Sequence, residues 1–432
     1  MLESLVAAFK IPELKRRIQF VMLMFAVFVI GAHIPVPGVN HVAVEKFFSG
    51  QGGGLLGLVD VFSGGALKRM SLFAMGITPY INASIIMQML TLAIPQLEVM
   101  SKEGESGRKR IAKITRYMTI VLAFFQAIGF SMAFRGADAG TGPFGMMQMW
   151  ITMTAGTCFL LWLGEQVTEK GIGNGVSLVI FAGIMTSLPY QVANIVGSVN
   201  TGLTSIFSVI ILVAMFVGTI LGIVFVTQGQ RKIPIQHVKR VVGMKVTQGG
   251  SSFLPIRVNT AGVIPIIFAI SMMMFPAQIL GAIPSSNTGF MANLKTFAML
   301  LFPGNSWWAS LIYVFLIIVF TYFYTSIIMN VQDMADNLKR YGNYIPGIRP
   351  GKPTFDYLDR VVSRITLAGA VFLAMIALVQ YIAPALTNVH SFSLVGGTSL
   401  LIVVGVAIET MQAIEAQLLM RNYEGFIKQS GM

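Results

Sequence analysis

The chain has 432 residues, 55% of them hydrophobic and 11% charged, against about 25% charged in a soluble domain, so a mostly water-exposed globular surface is excluded. The net charge of +13 comes from 30 Lys and Arg against 17 Asp and Glu, and is read first as topogenic rather than as a nucleic-acid surface. A single cysteine, Cys158, leaves no intrachain disulfide, and His33, His41, His237 and His390 lack metal-ligand spacing, so no metal, cofactor or enzyme chemistry is expected.

Eight stretches carry no Asp, Glu, Lys or Arg: 18–44, 70–97, 117–134, 139–164, 171–230, 258–294, 296–332 and 365–408. A helix needs roughly 20 apolar residues to cross about 30 Å of hydrocarbon. Six stretches hold one span each. The stretches 171–230 and 365–408 hold two apiece, with turns at Pro189 and Gly197–Asn200 and between Pro384 and Gly397. The chain is therefore predicted to be an all-α polytopic membrane protein of ten spans. With the N-terminus placed in the cytoplasm, 25 of the 30 Lys and Arg fall in cytoplasmic segments, leaving Lys46, Lys68, Arg69, Arg135 and Lys295 outside. This positive-inside bias puts both termini in the cytoplasm.

Residues 1–17 read as an amphipathic cytoplasmic segment lying at the interface, with no cleavable signal peptide visible. Residues 18–190 form a first half, 191–203 an uncharged external hinge loop, 204–418 a second half and 419–432 a cytoplasmic tail. Between spans 1 and 2, Gln51-Gly52-Gly53-Gly54 and Ser63-Gly64-Gly65 flank a short apolar run containing Leu55, Leu56, Leu58, Val59, Val61 and Phe62. Eight helical residues reach only about 12 Å, too short to cross. The run is either a plug folded back into the molecule or a surface helix on the lipid interface.

Span 2 carries Gly76-Ile77-Thr78-Pro79-Tyr80-Ile81 and span 7 carries Gly262-Val263-Ile264-Pro265-Ile266-Ile267. Each is the second span of its half, and the two run in opposite directions. Matched Gly/Pro interruptions in oppositely oriented halves point to an inverted repeat with its functional axis between them; two unrelated proline-containing helices are the alternative. Ile77 and Ile81 share one helix face, as do Val176 and Ile180 on span 5. Ile180 lies ten residues past Lys170 and Ile267 ten past Arg257, about 15 Å into the membrane in each case, and Ile402 lies near the middle of span 10. Branched aliphatic side chains meeting at mid-depth could close a pore by dewetting, although such residues more often face lipid or core.

The large loops, 229–257 and 332–364, are cytoplasmic. The first holds Arg231, Lys232 and the basic run Val238–Val246, with Arg240 and Lys245 about a glycine suited to a hairpin tip. The second holds Ile345-Pro346-Gly347-Ile348-Arg349-Pro350-Gly351, whose prolines present Arg349 stiffly toward an acidic or phosphate-bearing partner. The spans hold almost no ionisable residues, and Glu409 and Glu415 fall near the cytoplasmic end of span 10. A secondary solute carrier, which needs a polar mid-membrane site, is thus poorly supported. A membrane insertase or scaffold without an aqueous pore is the other alternative.

These motifs resemble the SecY family of protein-secretion channels. The resemblance rests on Gly76–Gln88, Leu163–Ser177, Glu103–Arg108, Asn259–Pro265, Pro346–Gly351 and Gly396–Ile402, and covers essentially the whole chain. The Gly171-Ile172-Gly173-Asn174-Gly175 segment is not a dinucleotide loop, because no strand precedes it and a span follows. The resemblance implies an hourglass channel of two inverted five-helix halves, which opens across the membrane and sideways into lipid. It implies a constriction of Ile77, Ile81, Val176, Ile180, Ile267 and Ile402, with Val176 standing where relatives often have isoleucine. It further implies a plug at Leu55–Gly65 and a lateral gate of spans 2 and 3 against 7 and 8, with Asn82, Gln126 and Ser271 as polar candidates for holding it shut. Implied partners are SecE, SecG, the SecA motor ATPase, the ribosome, signal peptides, unfolded polypeptides and lipid. Docking would fall on Arg349, Arg240, Lys245, Arg231 and Lys232, and the implied location is the bacterial inner membrane.

Overall fold

The computed structural model describes residues 9–37, 39, 44, 60, 63–133, 143–202, 204–237, 240–242, 245–247, 250–282, 300, 306–387 and 397–430; the side chains of 132–133, 143, 240–242, 245–247, 274–282, 385 and 421–430 are not described. Helices stand at all ten places predicted for spans: α1 (Pro12–Gly31), α2 (Thr78–Ala93) with its short continuation α3 (Pro95–Lys102), α4 (Glu105–Ala133), α5 (Pro143–Lys170) and α6 (Gly175–Asn200) in the first half. The second half has α7 (Ile206–Gln228), α8 (Ile264–Ala282), α9 (Trp307–Ile328) followed by amphipathic α10 (Val331–Arg340), α11 (Lys352–Thr387) and α12 (Gly397–Ser430). Among the described residues seven helices are long and apolar enough to cross a membrane, or eight when α2 and α3, bent by 101°, count as one. The other two are α1, whose first turns carry charge, and the 19-residue α8.

Several boundaries differ from the sequence expectation. Pro189 lies inside α6, which continues to Asn200, so the external turn shrinks from 191–203 to the few residues after Asn200. A proline costs a membrane helix one hydrogen bond but is tolerated where neighbouring helices surround it. The chain reverses through Gly202 N–H donating to the Val199 carbonyl at 3.0 Å, and Ser205 caps α7 by accepting from Phe207 N–H at 3.3 Å. At the start, Pro12–Arg17 already belongs to α1 rather than to a separate interfacial piece. At the end, the backbone of α12 runs through most of the predicted tail.

The all-α architecture carries a small addition in the two large loops predicted to be cytoplasmic. Strands β1 (Gln230–His237), β4 (Ser251–Arg257) and β5 (Asn343–Tyr344) form an antiparallel sheet in the order β4-β1-β5, with Arg231 opposite Ile256 and Gln236 opposite Tyr344. His237 ties all three strands, its ring nitrogens lying 2.7 Å from Asn343 Oδ1 and 2.9 Å from Ser252 Oγ. Between β1 and β4, β2 (Arg240–Val242) and β3 (Lys245–Thr247) pair as the predicted hairpin, with Val242 opposite Lys245. Ile233 and Ile256 bury one face of the sheet against Val331 of α10, Ile345, and Leu358 and Val362 of α11.

Within the membrane, two apolar clusters dominate. One runs between the halves, joining Ala123, Ala127 and Phe130 of α4 to Ile266, Phe268 and Ile270 of α8 and Tyr313 and Ile317 of α9. The other gathers the pore candidates.

Candidate functional site

The Gly-x-x-Pro echo is a helix-start device in both halves. Gly76 (φ 56°) and Gly262 (φ 64°) adopt the left-handed conformation, and the helix begins two residues later with proline in its first turn. Span 2 is therefore not helical from Met70: its external approach runs as turns to Ile77, which is the N-cap residue of α2. Ile77 and Ile81 still lie one turn apart, because Ile81 N–H donates to the Ile77 carbonyl at 3.2 Å. In the other half Ile267 N–H reaches the Val263 carbonyl at 3.4 Å.

The α5–α6 junction positions the third contribution. Asn174 Oδ1 accepts from Val176 N–H at 3.0 Å and Ser177 N–H at 3.4 Å, while Gly175 N–H donates to Thr168 Oγ1 at 2.9 Å. A Cβ on Gly175 would meet the Gly164 carbonyl at 1.9 Å, so the glycine lets α5 and α6 touch backbone to backbone. The glycines of this segment thus serve helix packing, and they aim Val176 and Ile180 along one face of α6.

All six constriction candidates fall in one apolar cluster. Ile77, Ile180 and Ile402 are buried in it, and Ile81, Val176 and Ile267 are partly buried against it. Four helices, α2, α6, α8 and α12, supply them, two from each half. Each of the six is an uncharged aliphatic side chain. Val263 and Val406 are also members; each stands four residues from a predicted one, and that spacing was the signal by which sequence could have found them.

The plug candidates Leu55, Leu56, Leu58, Val59, Val61 and Phe62 lie outside the described residues. The segment that follows them is described and seated firmly. Gly64 lies against α6, where an added Cβ would meet the Gly183 carbonyl at 2.7 Å, one turn beyond Ile180. Lys68 N–H donates to Asp60 Oδ1 at 2.8 Å, and Lys68 Nζ to the Tyr190 hydroxyl of α6 at 2.9 Å. On the other side, Val36 N–H donates to the Met70 carbonyl and Leu72 N–H to the Ile34 carbonyl, pinning the segment to the end of α1.

Along the seam between the halves, α4 packs on α8. Asn82, Gln126 and Ser271 are half-buried, and among the described residues no hydrogen bond joins them to one another. The seam is held by the apolar cluster instead. In the 332–364 loop Arg349 is exposed in a turn fixed by Ile348 N–H to the Ile345 carbonyl at 3.0 Å and by the Thr354 hydroxyl donating to the Arg349 carbonyl at 2.9 Å. Arg231 and Lys232 are exposed on β1, and the backbones of Arg240 and Lys245 lie on the hairpin. Sequence reading missed the three-stranded sheet that carries Arg231 and Lys232, although Ile233 and Ile235 alternate with Lys232, Pro234 and Gln236 in the period of a strand.

A family model described as SecY matches residues 71–411. The protein translocase subunit SecY of Halalkalibacterium halodurans is 43% identical over 439 residues, covering 99% of this chain and 100% of that one. Its counterpart in Thermus thermophilus is 41% identical over 435 residues, covering 99% and 98%. Three solved structures share the fold. One described as a protein conducting channel has a TM-score of 0.66 at 19% identity, and one concerned with the plug domain of the SecY protein 0.65 at 20%. Sec61 in the canine ribosome–channel complex gives 0.64 at 18%. Each covers 93% of this chain and 92% of the other.

Proposed function

The chain belongs to the SecY family, and from that membership we propose that it is a protein-conducting channel, passing unfolded secretory polypeptides across the membrane and releasing membrane-protein helices sideways between α2 and α4 on one side and α8 and α9 on the other. The observation that carries this reading is the uncharged cluster in which Ile77, Ile81, Val176, Ile180, Ile267 and Ile402 converge from both halves. A narrow aliphatic ring excludes water and so ions, because an ion entering it would lose its hydration shell without replacement. The Leu55–Gly65 segment acts as a plug on the external side of this ring.

Opening follows from differential binding. A signal sequence is an apolar helix, stabilised by lipid and by a parted seam but not by a closed one, and so shifts the closed–open equilibrium. The polypeptide then threads the ring, whose deformable side chains close around it whatever its sequence. Energy comes from a partner: the SecA motor or the ribosome docks on the cytoplasmic sheet and hairpin, with Arg349 the leading contact and Arg240, Lys245, Arg231 and Lys232 in support. SecE clasps the helices of spans 1, 5, 6 and 10, and SecG lies beside the first half. The protein resides in the bacterial cytoplasmic membrane with both termini inside.

Site-directed cross-linking tests the reading. In a Cys158→Ser background, cysteines placed at Ile81 and Ile267 are expected to cross-link a stalled secretory chain, whereas one at the outward-facing Phe225, 81% exposed on α7, is not. Equal labelling at all three positions, or none at Ile81 and Ile267, contradicts it.

A further inference from the structure

The gate helix α4 is tied to its own half by an ion pair that the channel mechanism above does not use. Arg116 Nη2 of α4 lies 2.6 Å from Glu165 Oε1 of α5. The other described ion pairs lie within one helix or across the α3–α4 turn, whereas this one joins two spans. α2, which carries Ile81, packs on α4, and α4 packs in turn on α8. The pair therefore fastens α5 to the helix that flanks the seam.

Both side chains are partly exposed, Arg116 49% and Glu165 34%, so the pair adds little to global stability. Its value lies in what it couples. Farther along α4, Ala123, Ala127 and Phe130 pack across the seam onto α8. The helix α5 is itself braced by α1 and α6, which pack on it. α4 also packs along α2 and α5, so the pair adds to an existing contact. It favours movement of α4 together with the α5 bundle, and its loss lowers the resistance to tilting α4 away from α8.

We propose that Arg116 and Glu165 are a positioning pair that sets the threshold for opening the lateral seam, by coupling the gate helix α4 to the α1–α5–α6 bundle. The proposal rests on the channel reading and adds to it a pair of residues that decide how strong a signal sequence must be.

The test compares translocation of two substrates by the full chain assembled with its partner subunits: one with an intact signal sequence and one whose apolar core is shortened. In Glu165→Gln and Arg116→Glu, the ratio of shortened-signal to intact-signal translocation is expected to rise about 2- to 5-fold, and in the charge-swapped Arg116→Glu/Glu165→Arg variant to return toward the parent value. A loss of folding alone would lower both substrates together and leave the ratio unmoved. An unchanged or lowered ratio in the single variants, or a swap as altered as they are, overturns the proposal. Failure of the channel reading looks different: the parent itself would translocate neither substrate.

Discussion

Asp60 sits at the inner end of the external segment, its carboxylate accepting the Lys68 amide. Burial pushes its pKa above the ordinary carboxyl value, against the opposing pull of that amide and of the Lys68 and Arg69 charges. A raised carboxyl pKa means that the folded chain holds the proton more tightly than the unfolded one. Stability from this site is thus full at low pH and is lost as pH rises through the folded pKa. Asp60→Asn keeps an acceptor and removes the charge, so its apparent Tm in detergent at pH 7 is expected to equal or exceed the parent's, with the advantage shrinking toward pH 4. A variant several degrees less stable at pH 7 would show that the carboxylate is needed ionised. Arg349 belongs to the same scale. Its turn is fixed from within by Ile345 and Thr354, so Arg349→Glu is expected to leave Tm and membrane insertion unchanged while reducing SecA-driven export about tenfold, the effect of a lost docking contact of about 1.4 kcal/mol. Undiminished export would remove Arg349 from the docking surface.

At the scale of elements, the paired helix starts carry the geometry. At Gly262 a Cβ would meet nothing within 4 Å, so Gly262→Ala tests backbone conformation alone. Forcing an L-residue into φ 64° is expected to cost about 1–2 kcal/mol. It should also disturb Ile267, one turn into α8, which ion leak from reconstituted vesicles would register. Unchanged stability would mean that the turn relaxes without strain. The ten spans were legible because charge is so scarce that its absence marks each one. The Gly-x-x-Pro echo was legible as a repeat but not as a turn, since the sequence placed Gly76 inside a helix rather than at its threshold. Pro189 misled for a physical reason: it breaks helices in water more surely than among packed membrane helices. The sheet was overlooked because Pro234 and Pro255 interrupt its two long strands and because β5 comes from a different loop. The Arg116–Glu165 pair left no local trace, joining residues on different spans.

For the whole molecule, an apolar cluster joins α4 to α8 and α9 across the seam, and the six constriction candidates share a second one. Among the described residues no hydrogen bond joins Asn82, Gln126 and Ser271 to one another, so the seam contact seen is apolar. That suits a gate opened by an apolar ligand, because lipid or a signal helix replaces the lost contacts in kind. In the proposed reading the ring is likewise uncharged, so closure needs no ion pair to break. Fourfold spacing singled out Ile77/Ile81 and Val176/Ile180 and estimated depth Ile267 and Ile402; that all six share one apolar cluster required the fold. The direct test is ion flux through proteoliposomes carrying the idle channel. Replacing Ile77, Ile81, Val176, Ile180, Ile267 and Ile402 by serine is expected to raise leak with each substitution, while serine at the outward-facing Leu221 and Phe225 leaves it at the parent level. A fully serine-substituted ring that leaks no more than the parent would contradict the account.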